Sequence, residues 1–157
     1  MMTYTIVLAA HSYLRWIMFA LLVFTAARAL MGWLGDKPYR PLDSKLTLFT
    51  LIATDLQLLF GLALYFILSP QTSAAFANFG AAMKSKPLRF WAVEHITIAL
   101  VAVMLVHVGR IKARKVEDSR DRHKRIAIYF GLALVAVLVA IPWPFRQAIG
   151  RALFFGM

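Results

Sequence analysis

Two histidines, His11 and His95, lie in apolar runs long enough to cross a bilayer, and the apolar runs of this chain also carry Arg15, Asp55, Glu94 and His107. Ionisable side chains at such depth are costly, so the default reading is that they face a bundle interior and serve a function. The chain has no cysteine. That excludes disulfides, thiolate metal sites, iron–sulfur clusters and CxxCH haem attachment, and leaves any metal or haem to histidine, methionine or carboxylates.

Depth selects among the histidines. Taking Arg28 and Arg110 as the inner ends of the first and third apolar runs, His11 lies about 25 Å and His95 about 22 Å from that end at 1.5 Å per residue. In an up-and-down bundle the two runs point the same way, so these side chains can converge on one object near the outer side. Neutral imidazoles from two facing helices are the donors of a bis-histidine b-type haem, with His11 and His95 on the iron. The alternative is a pair of buried histidines hydrogen-bonded to Ser12, Thr97, Glu94 or a backbone carbonyl. On the His95 face lie Trp91, Ala92, Ala99, Ala102 and Gly109. Such a stripe of small side chains is either a trough for a flat cofactor or a surface for close helix contact. His107 lies about 120° from His95 on the wheel, which disfavours a second haem stacked beneath the first. His107 reads as an interfacial or core residue and His123 as a solvated one.

Arg15 is one turn from His11 on the same face, and Glu94 and Asp55 are the only acids inside the expected spans. An unpaired charge in hydrocarbon is expensive, so Arg15 is expected to meet Glu94, Asp55 or a bound anionic group such as a haem propionate or quinone head group. Glu94 is then a candidate proton carrier. A structural ion pair is the equally open reading.

The elements that must position these groups follow from composition. The chain has 157 residues, of which 61% are hydrophobic and 16% charged, with a mean hydropathy of +0.70. It reads as all-α: one polytopic membrane domain, a four-transmembrane-helix bundle with spans at about 5–30, 46–68, 88–111 and 126–141. In the second span Thr47, Thr50, Thr54, Gln57 and Gly61 recur at steps of three and four and form one polar or small stripe, with Asp55 at its edge. Ala127 with Gly131 and Ala136 with Ala140 are small pairs suited to close packing in the fourth span. The segment from Gly32 to Lys45 reads as a loop, as does the charged stretch from Lys112 to Arg125. Phe76, Phe79 and Met83 suggest a short interfacial helix between the second and third spans. Pro142 stops the last span, with Trp143 and Phe145 at the interface. No basic n-region precedes the first apolar run, so it reads as a retained helix rather than a removable signal.

The net charge of +11 is not a nucleic-acid signal here, because the basic residues sit in short loops at helix ends. They divide unevenly. Arg28, Lys37, Arg40, Lys45, Arg110, Lys112, Arg114, Lys115, Arg120, Arg122, Lys124 and Arg125 fall at one end, twelve of the eighteen, and Arg15, Lys84, Lys86, Arg89, Arg146 and Arg151 at the other. By the positive-inside rule both termini then face outward.

The stretches HSYLRW, LQLLFGLALYF, RFWAVEH and HKRIAIYFGLALVAVLVAIPWPF together resemble a family of small four-helix bacterial membrane proteins labelled cytochrome b. The resemblance covers nearly the whole chain. It implies a haem redox role in the bacterial inner membrane, with His11 and His95 as haem ligands and electron exchange with the quinone pool or a respiratory partner. It also suggests a histidine in relatives where this chain has Asp55, which sets helix two apart here. A second class of function stands beside it: a non-catalytic accessory subunit that packs against other subunits of a larger membrane complex. A proton or metal-ion transporter using Asp55, Glu94 and His95 ranks below both, because the spans lack the Gly- or Pro-broken helices of such sites.

Overall fold

The computed structural model describes residues 2–153. It is all-helical, with four helices long and apolar enough to cross a membrane. The first, α1, is Met2–Leu34; the second, α2, is Pro41–Ala63 and continues through a π-helical turn at Leu64–Leu68. Short helices α3 (Pro70–Ala77), α4 (Phe79–Lys84) and α5 (Lys86–Arg89) follow. A second π turn at Phe90–Glu94 leads into α6, His95–Arg114, and α7 is Ser119–Ala140. Around the bundle α1 packs on α2 and α7, and α6 packs on the same two. The α1 and α6 helices therefore run parallel across the diagonal.

One spacing organises all four spans. The interior positions are His11, Arg15, Met18, Leu22, Thr25, Ala29 and Gly32 on α1, and Asp43, Thr47, Thr50, Thr54, Gln57, Gly61 and Leu64 on the second span. They are His95, Ala99, Ala102, Val106, Gly109 and Ala113 on α6, and His123, Ile126, Phe130, Ala133, Val137 and Ala140 on α7. Each series alternates steps of three and four, the seam that packs helices near 20° in left-handed bundles. Leu22, Phe130 and Ala133 are fully buried at its centre, while large side chains such as Ile17, Phe24, Phe49 and Leu132 point outward. One polar seam pair ties two helices together, Thr25 and Thr50 sharing a hydroxyl–hydroxyl hydrogen bond of 2.8 Å, while Thr54 is satisfied within its own helix by donating to the Thr50 carbonyl at 2.7 Å.

At Gly109 the seam is tight against α7, where an added Cβ would stand 2.5 Å from the Tyr129 Cβ and 3.3 Å from the Phe130 ring. Neither neighbour has a flexible end that can yield. Gly109→Ala is expected to force α6 from α7 and cost about 1–3 kcal/mol, read as an earlier denaturation midpoint in detergent; an unchanged midpoint would mean the bundle relaxes there freely. Gly109 thus serves helix contact rather than a trough. Gly131, expected to pack closely, has open space where its Cβ would be.

Several element boundaries differ from the sequence reading. The segment 32–45 is mostly helix. Asp36, at φ 49°, ends α1 with Lys37 N–H reaching back to the Gly32 carbonyl at 3.0 Å, a Schellman closure. Pro41 opens α2 with its φ already set for a helix, and Asp43 accepts from the Arg40 N–H at 2.7 Å. Asp43 therefore lies inside the second span, a third acid that the expected boundary at residue 46 left out. The second connection at this end narrows to Lys115–Asp118, where Asp118 caps α7 by accepting from Asp121 N–H at 2.8 Å. In place of one interfacial helix there are two, α3 capped by Ser69 and α4 by Asn78, with Phe76 and Phe79 exposed and Met83 turned inward.

Candidate functional site

At the end farthest from the basic cluster the seam opens. There His11, Arg15, Gln57, Gly61, His95 and Ala99, all seam residues, are only partly buried, because they line one cavity of about 340 Å³. That is the size of a small-ligand site. Both histidines singled out by depth are on it, with Arg15 and Arg151. Its remaining wall is mainly apolar and includes Ala102, Val137, Trp91 and Tyr65. Pro142 and Ala152, from the segment after α7, line it as well, and that segment is fastened by the Leu153 carbonyl, which accepts from the Arg15 guanidinium and from Trp16 Nε1, each at 2.9 Å.

His95 is held by one well-defined contact. Its Nδ1–H donates to the Ala140 carbonyl at 2.9 Å, a group freed because Pro144 cannot return an N–H to it. The bond fixes the tautomer and leaves the lone pair on Nε2. Trp91 and Phe90 bracket the ring at 5.5 and 5.7 Å.

His11 is held differently. Its Nε2 meets the Gln57 carboxamide nitrogen at 3.1 Å, and Gly61 makes room for the ring, since a Cβ there would stand 3.2 Å from His11 Cε1. His11 Nδ1, Gln57 Oε1 and Arg15 Nε are buried without a hydrogen-bond partner among the described residues. Three such atoms on the wall of one cavity are an unusual concentration, since a buried polar atom left unpaired costs about 1–3 kcal/mol.

The remaining sequence candidates lie elsewhere. Arg15 meets neither Glu94 nor Asp55: Glu94 pairs with Arg89 at 2.7 Å, and Asp55 stands 3.4 Å from His107 Nε2. The π turn explains the first case, because it rephases the helix between Phe90 and His95 and turns Glu94 out of the cavity. Asp55, one position past the seam residue Thr54, faces the flank of α6. His107 donates from Nδ1 to the Val103 carbonyl at 3.0 Å and is about two-fifths exposed beside Asp55. His123, expected to be solvated, is 2% exposed. Ala92 packs with Ala75 and Ala82, so the small floor of the cavity is Gly61, Ala99 and Ala102.

Gln57, Arg151 and the Ala140 carbonyl escaped the sequence reading as site groups. Gln57 was visible as the one amide on a stripe of threonines and glycine. The other two depend on how the chain folds back after α7.

The donor set fits a haem in kind: two imidazoles from parallel diagonal helices, two arginines on the same cavity for propionates, small residues beneath the rings and apolar walls. His95, with Nδ1–H committed to Ala140, would offer its Nε2 lone pair to such a group. His11 would hold such a group through Nε2 only by giving up its Gln57 contact. No protein-family model, no curated protein and no solved structure matches this chain.

Proposed function

We propose that this chain is a membrane redox protein that holds a b-type haem between His11 and His95. The observation carrying the proposal is that these two imidazoles, matched in depth on parallel helices, line the same cavity beside partnerless buried polar atoms. Haem, when bound, supplies a one-electron couple. The protein's own part is to hold His95 in one tautomer through Ala140, to set Arg15 and Arg151 opposite acidic groups, and to keep water out with Trp91, Tyr65 and the segment after α7. The π turns on two neighbouring spans flank this cavity, and such turns gather at functional sites. The resemblance to small cytochrome b proteins points the same way, and implies the quinone pool or a respiratory partner as electron donor or acceptor in a bacterial inner membrane.

The test is a titration of the purified protein in detergent with hemin. Saturation near one equivalent, lost in His11→Ala and in His95→Ala, is the expected result; haem uptake equal in wild type and both variants contradicts it.

The orientation proposed is both termini outside, on the twelve-to-six division of basic residues. A reporter placed after residue 153 should be active outside the cytoplasm and one at Lys115–Asp118 inside it. The reverse pattern would overturn the assignment.

One observation favours the second reading, an accessory subunit. Asp55 and His107 form a polar pair on the outward flank of α2 and α6, each about two-fifths exposed where lipid would lie. Such a pair is better accommodated against another membrane subunit than against acyl chains. The two readings are compatible, and the hemin titration separates a haem-carrying subunit from an inert one.

A further inference from the structure

The opposite end of the bundle carries a second built cavity, of about 360 Å³, between the end of α1, the turn that follows it, the start of α2 and the start of α7. It is lined by Arg28, Gly32, Lys37, Arg40, Asp43 and His123, with Asp43 the one acid among its lining residues. That carboxylate is already engaged: one oxygen accepts from Arg28 Nε in a short contact and the other from the Arg40 N–H at 2.7 Å. Lys37 and Arg40, both exposed, form no ion pair among the described residues. The cavity therefore carries an excess of positive charge.

His123 gives this charge a direction. Its ring is 2% exposed and lines the cavity, yet neither Nδ1 nor Nε2 has a hydrogen-bond partner among the described residues. The position is enforced by its surroundings. Gly32 leaves space that any Cβ would close, standing 2.5 Å from the imidazole Cγ and Nδ1, and the Tyr39 ring covers the imidazole at 5.1 Å. An imidazole seated this closely, beside cations and without an internal partner, suits a ligand that accepts hydrogen bonds and bears negative charge.

We propose that this cavity binds a phosphate group, with Lys37 and Arg40 neutralising it and His123 donating to it. The chemistry is shared by a phospholipid headgroup and by free phosphate. The flanking surface favours the headgroup, since Met31 and Leu34, 55% and 72% exposed on the last turn of α1, offer an apolar path for an acyl chain beside the charged pocket. Basic pockets between membrane helices at the cytoplasmic face commonly bind anionic lipid in this way.

The test uses the full chain, delipidated in detergent, with phosphatidylglycerol, phosphatidylcholine and inorganic phosphate as separate probes and native mass spectrometry as the readout. Phosphatidylglycerol is expected to saturate one site and phosphatidylcholine to bind more weakly. The double variant Lys37→Gln/Arg40→Gln, at exposed positions whose loss spares the fold, should weaken phosphatidylglycerol by about tenfold or more. Lys115→Gln/Arg120→Gln, the same charge removed at the same end but off the cavity, should not. Gly32→Ala, which expels the imidazole, should weaken the site as well. Phosphate binding that the first double variant abolishes, without selection between the lipids, supports the anion site and assigns it to free phosphate. Equal phosphatidylglycerol binding by wild type and the Lys37/Arg40 variant, or an equal loss in the control variant, overturns the proposal. None of these outcomes bears on haem, whose cavity lies at the far end.

Discussion

Replacing His95 with glycine is expected to weaken haem retention by about 100-fold or more, and free imidazole is expected to restore it in part. The expectation comes from how the ring is held. Its Nδ1–H is committed to the Ala140 carbonyl at 2.9 Å, so the imidazole reaches the cavity in one tautomer and one orientation, and a bound iron would spend no entropy in selecting them. Removing the ring leaves a space bounded by Trp91 and Phe90 that a free imidazole can enter, with the same carbonyl ready to accept. His11→Gly is expected to have a smaller effect, because that ring would first have to give up Gln57; by the same argument Gln57→Leu should raise haem affinity while His95→Gly lowers it. Haem content after purification, with and without imidazole, measures both. Retention unchanged in His95→Gly would remove His95 from the ligand set.

The largest stability effect is expected at the basic end. Arg28 and Asp43 form an ion pair between α1 and α2 in which Asp43 is 5% exposed and Arg28 about a third exposed. Arg28→Leu takes the paired guanidinium from a buried carboxylate and leaves it the Arg40 N–H as its hydrogen-bond donor. Breaking a buried pair from one side costs about 3–5 kcal/mol, and the partial exposure of Arg28 places this case near 3 kcal/mol. The double variant Arg28→Leu/Asp43→Asn should recover part of that loss, because no charge is then left unpaired. Unfolding in detergent tests both. A double variant no better than the single one would show that Asp43 matters through its cap on α2 and not through its charge.

The site was legible where it lay on uninterrupted helix. From Thr47 to Gly61 every polar or small residue of the second-span stripe falls on the interior seam, because a straight helix keeps its phase and the spacing of three and four can be counted in the sequence. His11 and His95 converge on one cavity for the same reason: rise per residue fixes depth. Legibility failed where phase was broken. The π turn at Phe90–Glu94 turned Glu94 toward Arg89 and left Arg15 without the carboxylate expected for it. It failed again where a partner comes from backbone, since nothing in the side chains around residue 153 announces that its carbonyl receives Arg15 and Trp16. His123 was misplaced because a charged neighbourhood in sequence, KARKVEDSRDRHKR, suggested solvent, whereas α7 begins four residues before it and carries it onto the seam opposite Gly32.

The central claim rests on haem, and the most direct measurement is the reduced-minus-oxidised absorption spectrum of the wild-type protein purified from cells supplied with haem. The account predicts a coloured protein whose spectrum sharpens on reduction into that of a six-coordinate, low-spin b-type haem, as two imidazole ligands require. A colourless protein with an intact fold, which takes up no hemin when it is offered, would contradict it.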